Sequence, residues 1–429
     1  MMKILLLAFN VQEDIYPLGL SYLKAYAQKF HPDVEIAIRE FTFGNRAKYT
    51  TNKNLELQAL SYIMLEKPDL VAFSCYIWSS EMIRDFTKAI KQALPNTKIV
   101  LGGVEASQTM LDDSIDFMIQ GEGEIAFKEI IDHLKGTLRQ EQIHNILYYE
   151  NGSLQKGPSI FIENLDEIPF PYSGKGVKKY TALRLETSRG CQFDCSFCHY
   201  AAIPLRYFSM PYLEKAIAFL FEHYEFEYLT ILDGTFNSNK ERMFLILDII
   251  EKNNIYSKRK AKIHCEMRPE LLDEPTIIKL QKYSYKIEIE LGLQSIDSAV
   301  LKAVKRPTSL ERVKNTLALL DSSHLEYKID LMYGLPQDTF FKFLLSTRFV
   351  LRNAKRQDSL VAHHYMQLNN TASENTDEQK RYSETHSSMV VHTKTQDAFD
   401  IFKTKLFMDM INEELILIKT LERMWRMDG

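Results

Sequence analysis

The chain has 429 residues, 45% hydrophobic and 26% charged, with a formal net charge of −4. This is more chain than one ordinary core accommodates, so at least two soluble domains are expected. The near-neutral balance argues against a domain-wide basic surface for nucleic acid, and no run of about 18 apolar residues argues for a membrane span.

The apolar start, residues 1–9, is followed by Asn10, Gln12, Glu13 and Asp14 without a small-residue cleavage site. It reads as a buried parallel strand and not as a signal peptide. Strand-like and helix-like segments then alternate, with strands at 3–9, 34–38, 70–74, 98–101 and 117–119 and helices at 18–30, 54–66, 80–94 and 125–134. Leu18, Tyr22, Leu23 and Tyr26 share one face of the first helix at the 3.6-residue period. These βα units predict an open parallel sheet of Rossmann-like, flavodoxin-like type, with ligands at glycine-marked strand ends. Gly and Pro punctuation across residues 148–180 marks a linker with a hairpin-like segment inside it.

A second array follows, with strands at 183–187, 228–232, 262–265, 286–291 and 327–332 and helices at 213–224, 240–253, 276–282, 310–320 and 340–351. Residues 360–368 are a candidate sixth strand. The array predicts a partial (β/α)6 TIM-type barrel, an architecture in which chemistry gathers at the C-terminal ends of the strands. Residues 369–396 are polar and read as a loop or disordered stretch. Residues 398–427, with Met408, Met410 and Ile411 among charges, read as a helical C-terminal appendage that packs on the barrel or caps its open side. The domains so drawn are 1–147, a linker at 148–180, 181–368 and 369–429.

Three of the five cysteines, Cys191, Cys195 and Cys198, fall on the loop after the first strand of the second array, spaced C-x-x-x-C-x-x-C. Clustered thiols favour a metal site in a reducing compartment over a disulfide framework, which places the protein in the cytoplasm. Thiolates suit zinc and iron–sulfur clusters. Structural zinc takes four ligands, and His199 can supply the fourth. A cubane cluster normally takes four cysteines, and Cys75 and Cys265 are isolated, so a cluster on three would keep one iron open.

With Phe197 before the last cysteine and the βα array behind it, the loop resembles that of the radical S-adenosylmethionine (SAM) enzymes, whose motif is C-x-x-x-C-x-aromatic-C. The resemblance implies a 4Fe-4S cluster on Cys191, Cys195 and Cys198, SAM chelated to the open iron, and one-electron cleavage to a 5′-deoxyadenosyl radical. Further stretches carry it: Asp233-Gly234-Thr235-Phe236-Asn237, the pair Glu266 and Arg268, Glu290-Leu291-Gly292-Leu293-Gln294-Ser295, and Asp330 to Pro336. It implies SAM contacts for Phe197, Glu266, Arg268, Gln294, Ser295 and Gly334, with Gln294 and Ser295 at ribose or carboxylate and Gly334 beside adenine. Plainer readings are a βα turn at Asp233, a surface ion pair for Glu266 and Arg268, and a strand-ending turn at Gly334.

The first array is similar to the cobalamin-binding domain that precedes the barrel in one large class of these enzymes. Pro17 to Leu23, Gly102 to Glu105, Asp116 to Glu124 and Leu165 to Pro171 carry that similarity. It implies cobalamin contacts for Pro17, Gly19, Ser74, Trp78, Gly102, Gly103, Glu105, Gly121 and Glu122. The D-x-H-x-x-G motif is missing, so no histidine of that kind is expected on cobalt. The plainer reading of Trp78 is an aromatic covering the sheet edge. The resemblance implies methylation of an unactivated carbon or a phosphinate in a small-molecule or natural-product substrate, with an external one-electron donor such as flavodoxin or ferredoxin. The alternatives are rearrangement, cyclisation or oxidation without cobalamin, and a non-catalytic zinc protein. No further catalytic residue is assigned; His363 and His364 fall in the candidate sixth strand, and His386 and His392 read as surface residues. No cysteines for a second cluster follow the barrel.

Overall fold

The computed structural model describes residues 1–11, 16–43, 53–172, 178–257, 261–283, 285–355, 359–373, 379–383 and 387–427. Two compact units emerge, Met1–Arg184 with Arg206–Phe226, and Leu185–Leu205 with Glu227–Gly429.

In the first unit, Ile4 to Phe9 are buried without a break along β1 (Lys3–Asn10). Alternate residues point to opposite faces of a strand. Leu5, Leu7 and Phe9 accordingly enter one core, and Ile4, Leu6 and Ala8 another. Burial on both faces demands helices on both. Along the chain come α1 (Leu18–Phe30), β2 (Glu35–Thr42), α2 (Lys53–Glu66), β3 (Leu70–Ser74), α3 (Ser80–Ala93), β4 (Lys98–Gly102), β5 (Phe117–Ile119) and α4 (Glu124–Leu134). Leu55, Ile63, Ile83 and Phe86 of α2 and α3 cover the first face, and Leu20, Ala27, Phe127 and Ile130 of α1 and α4 cover the second. Each fully buried Leu, Ile or Phe here contributes roughly 1.5–3 kcal/mol. The hairpin read inside residues 148–180 is β6 (Ile146–Glu150) and β7 (Ser153–Lys156). It joins the sheet, whose order is β2-β1-β3-β4-β5-β6-β7, parallel through β5 and antiparallel beyond. The 2-1-3-4-5 order is the flavodoxin-like one, with its ligand crevice at the β1/β3 switch point.

The chain continues through β8 (Lys178–Leu185), β9 (Ser188–Arg189), β10 (Arg206–Tyr207), α5 (Met210–His223), β11 (Tyr224–Ile231), α6 (Lys240–Ser257), β12 (Lys262–Met267) and α7 (Glu274–Leu280). Then come β13 (Ile287–Gln294), α8 (Ser298–Ala303), α9 (Leu310–Asp321), β14 (Glu326–Tyr333), α10 (Phe340–Asn353) and β15 (Leu360–His364). Helices α5, α7, α8, α9 and α10 start on Ser209, Asp273, Asp297, Ser309 and Thr339, whose side chains accept otherwise orphaned backbone N–H groups. The strands form one six-stranded sheet in the order β15-β14-β13-β12-β11-β8. Every pair from β11 to β15 is parallel. Sequential order with two open edges is that of a partial barrel.

Two expectations are corrected. The sixth strand is five residues, Leu360–His364, and does not run to Leu368. Residues 369–396 are not without structure, since β16 (Gln379–Ser383) and β17 (Ser387–Thr393) pair antiparallel before α11 (Ala398–Met427). Two strands that satisfy each other's backbone need few apolar residues, so a polarity argument misses them. One anchor suffices: Val390 is buried and its N–H reaches the carbonyl of Tyr365. His386 and the side chain of His392 lie outside the described residues.

Candidate active site

The cysteine loop begins where β8 ends. Thr187 and Ser188 are buried, and their backbone N–H groups donate to Asp233 Oδ1 at 2.9 and 3.1 Å. The Thr187 hydroxyl donates to Asp233 Oδ2 at 2.5 Å. Asp233 follows β11, so this fully buried carboxylate ties two neighbouring strand ends together just ahead of Cys191. Burial raises its pKa even though three donors pull the other way. Gly190 has φ +82°, and a Cβ there would meet the carbonyl oxygens of Ile203 and Pro204 at 2.3 and 2.4 Å. Only glycine fits that turn. Gly234 lies flat against the Tyr200 ring, leaving 3.1 Å for a Cβ.

Cys195 is buried, and Cys191 and Cys198 are half-buried. Cys191 Sγ lies 3.7 Å from Thr235 Oγ1. Arg306 Nη1 donates to Cys195 Sγ at 3.5 Å, and Nη2 donates to the carbonyl of Gly292. Burial pushes the Cys198 thiol up to about 11. The loop backbone is held by Ser196 N–H on the Val304 carbonyl and by Ser373 N–H on the Ser196 carbonyl, each at 3.1 Å. Phe197 and His199 are half-buried beside the thiols.

The other residues read as SAM contacts end the strands of the same sheet. On β13 burial alternates strictly, with Ile287, Ile289, Leu291 and Leu293 packed away and Glu288, Glu290, Gly292 and Gln294 on the inner face. Gln294 has φ +68° beside an irregular register at Gly292, and its buried Oε1 has no hydrogen-bond partner. Ser295 is buried, with its hydroxyl accepting the Asp297 N–H at 3.2 Å. Gly334 is buried at φ +82°. Glu266 opens to solvent on the inner face. Arg268 is directed elsewhere: its guanidinium meets Glu270 at 2.6 Å and the Pro307 carbonyl at 3.0 Å, and stacks 4.0 Å from the Phe193 ring.

Sequence reasoning missed Arg306, and it missed the wall that β12 to β15 build. His264 Nε2 lies 3.0 Å from Glu290 Oε2, and His363 Nε2 lies 3.6 Å from Asp330 Oδ1. Glu290, Asp330 and His363 bring one ligand atom each within 4.8 Å of the others, the one such set among the described residues. A tetrahedral zinc site would draw Cys191, Cys195, Cys198 and His199 together in that way. The polar alternation Glu288-x-Glu290 was the available signal for the wall. Nothing local marks Arg306.

In the first unit the residues read as cobalamin contacts follow β1, β3, β4 and β5. Trp78 is 36% exposed, stacks on Tyr76 at 4.8 Å and donates from Nε1 to the Phe9 carbonyl at 2.8 Å. That bond joins the ends of β1 and β3 at the switch point. Ser74 ends β3, half-buried. Gly103 has φ +99°, and a Cβ there would strike the backbone of Cys75 at 2.7 Å. The Gly102 carbonyl accepts the Cys75 N–H at 2.7 Å, and the buried Glu105 donates its own N–H to the Cys75 carbonyl. Pro17 precedes α1, and Gly19 and Gly121 are exposed with open space around them. Glu122 points inward instead, in a buried 2.7 Å ion pair with Arg206 while accepting the Ile162 N–H.

A flavodoxin-like sheet ahead of a partial barrel with a three-cysteine loop defines a class of two-domain enzymes. Residues 4–131 match the B12-binding domain and residues 185–349 match the radical SAM superfamily. The chain thus carries a B12-binding domain followed by a radical SAM domain. It is 31% identical to an uncharacterized methyltransferase of Pyrococcus horikoshii over 53% of this chain and 50% of that one. It is 23% identical to the cobalamin-dependent radical SAM methyltransferase TokK of Streptomyces tokunonensis over 69% and 46% of the two chains. The chain thus spans about half the length of these curated relatives. Its fold matches that of OxsB, a cobalamin-dependent SAM radical enzyme with aqua-cobalamin and SAM bound, at a TM-score of 0.71 and 14% identity, covering 95% and 66% of the chains.

Proposed function

We propose that the protein is a cobalamin-dependent radical SAM methyltransferase acting on an unactivated carbon or a phosphinate of a small molecule. The observation that carries this reading is the three-thiol loop at the end of β8, in a chain that also holds a B12-binding domain. Three thiols on one fixed loop fit a cubane cluster with one iron left open. The orphaned Gln294 Oε1 fits a donor such as a ribose hydroxyl or an ammonium group. Gly103, Gly121 and Trp78, exposed on loops that follow parallel strands, and Gly19, exposed in the first turn of α1, fit a large ligand along that edge.

Cys191, Cys195 and Cys198 would hold the 4Fe-4S cluster; Phe197, Glu266, Gln294, Ser295 and Gly334 would line SAM, with Arg268 bracing the strand end. Pro17, Gly19, Ser74, Trp78, Gly102, Gly103, Glu105 and Gly121 would line cobalamin, with Glu122 fixing the β5 loop from beneath. When bound, these groups supply an electron for cleaving SAM to a 5′-deoxyadenosyl radical and a methyl group for transfer. The chain's own part is to fix the loop through Asp233 and Gly190 and to keep three thiols on one side of the cluster.

Anaerobic reconstitution tests the reading. Four irons per chain, a corrin spectrum after incubation with hydroxocobalamin, and 5′-deoxyadenosine formation are expected, all but the corrin lost in Cys195→Ala. One zinc per chain without iron overturns it. Deoxyadenosine formation in protein that takes up no corrin moves the assignment to a cobalamin-independent radical enzyme.

A further inference from the structure

We propose that Glu122 and Arg206 are a pair of positioning residues that couples the two cofactor sites, so that a cluster on the cysteine loop tightens the binding of cobalamin. This rests on the reading that the chain holds both groups. The cysteine loop runs in the second unit to Leu205, and the next residue, Arg206, belongs to the first. Arg206 grips Glu122 with both arms of its guanidinium, Nη1 donating to Oε2 at 2.9 Å and Nη2 to Oε1 at 2.7 Å. Nη1 also donates to the Ile162 carbonyl, and the Ile162 N–H donates to Glu122 Oε2 at 3.0 Å. The backbone carbonyl of Glu122 accepts from Asn145 Nδ2 at 3.1 Å. Glu122 and Arg206 are 8% and 9% exposed.

A buried ion pair contributes little net stability, because desolvation of both charges offsets their attraction, yet losing one partner is costly. Such a pair serves to fix register, and here each partner stands at the edge of one site. Glu122 directly follows Gly121, which is exposed on the loop after β5. Arg206 lies eight residues beyond Cys198, and the stretch between them has little slack. A short helical turn spans His199–Ala202, with the Ala201 N–H on the Cys198 carbonyl at 3.2 Å and the Ile203 N–H on the Tyr200 carbonyl at 3.3 Å. The carbonyls of Ile203 and Pro204 close against Gly190, where no Cβ fits. Once the three thiols are held on a cluster, this stretch is ordered through Cys198, and Arg206 with it. The fork then fixes Glu122 and the loop at Gly121 before the corrin arrives. A ligand that meets an already ordered loop forfeits less conformational entropy on binding, so its affinity rises. By linkage, cobalamin favours the cluster-loaded loop by the same factor.

The test measures the Kd of hydroxocobalamin by anaerobic equilibrium dialysis, for iron-free and for cluster-reconstituted protein. In wild type the cluster should tighten binding on the order of tenfold, a coupling of ordinary size. The double variant Glu122→Gln with Arg206→Met removes both charges and so strands neither. It should take up iron and corrin, with the two Kd values nearly equal. A merely structural pair would, once removed, weaken both Kd values alike and leave their ratio at the wild-type figure. If the double variant does not fold or takes up no iron, Arg206→Lys carries the comparison, because it keeps the charge and loses the fork. Its ratio should fall below that of wild type. Equal Kd values for the two forms of wild type overturn the proposal, as does a wild-type ratio in the double variant or, in its place, in Arg206→Lys. Wild-type protein that takes up no iron or no corrin overturns the cofactor reading itself, before any ratio is formed.

Discussion

Gly190 and Gly121 share nearly the same backbone, φ +82° and +83°, yet their surroundings differ completely. A Cβ at Gly190 would lie 2.3 Å from one carbonyl oxygen and 2.4 Å from another, whereas at Gly121 nothing lies within 4 Å. Gly121→Ala should therefore cost only the strain of a left-handed residue, about 1–2 kcal/mol. Gly190→Ala must displace backbone that cannot give, so it should cost more and strip iron from the reconstituted protein. Equal stability losses and equal iron contents in the two variants would refute the steric argument. Asp233→Ala acts on the same loop from the other side. It leaves the N–H groups of Thr187 and Ser188 and the Thr187 hydroxyl without their acceptor, all inside the protein. At roughly 1–3 kcal/mol per unsatisfied buried donor, partly relieved by relaxation, a loss of about 3 kcal/mol in urea melts of iron-free protein is expected. Asp233→Asn keeps one acceptor oxygen and should lose less.

Among elements, the inner wall of β12 to β15 has the clearest consequence. Glu266 is open to solvent but hemmed by protein and faces Glu290 and Asp330, so its carboxyl is pushed up to about 7. Burial pushes Asp330 up to about 6. Glu290 goes the other way, to about 2, through its hydrogen bond with His264. Between about pH 4 and 7 the folded protein therefore keeps protons on Glu266 and Asp330 that the unfolded chain releases, and stability falls as pH rises through this window. The pKa values of His264 and His363 are raised by Glu290 and Asp330, and their contribution also fades with rising pH. The contribution of Glu290 is present above its ordinary value of 4.5 and is lost only as pH falls toward 2, outside the window. Thermal melts of iron-free protein from pH 4.5 to 7.5 should show a falling Tm, flattened in Glu266→Gln with Asp330→Asn. A slope unchanged by the double substitution would place the linkage elsewhere.

At the scale of the molecule, the sequence was most legible where burial is two-sided. The run from Ile4 to Phe9 read as a buried parallel strand, and the cysteine loop was recognisable because spacing along the chain is what a motif records. Strands with one open face were read too short. The strand β11 begins at Tyr224, where Glu225 and Glu227 interrupt the apolar pattern, and β2 runs on to Thr42 through Arg39 and Glu40. Contacts made across space left no trace in spacing, so Arg306 on Cys195 and His363 beside Asp330 went unread. So did the inward turn of Glu122 toward Arg206, 84 residues away. The division into two units leads to a last prediction, because a ligand stabilises only the part of the chain whose folded form binds it. Hydroxocobalamin at a hundred times its Kd stabilises the binding fold by about 2.7 kcal/mol. For a unit on the order of 200 residues, each kcal/mol shifts Tm by about 2–4 °C. Calorimetry of iron-free protein should therefore show one transition rising by about 5–10 °C with hydroxocobalamin while a second stays in place. Cys195→Ser should not change that shift, because the residue lies outside the B12-binding match at 4–131. A cobalamin shift that disappears in Cys195→Ser would mean that the corrin depends on the cysteine loop, and the assignment of its site to the first sheet would fail.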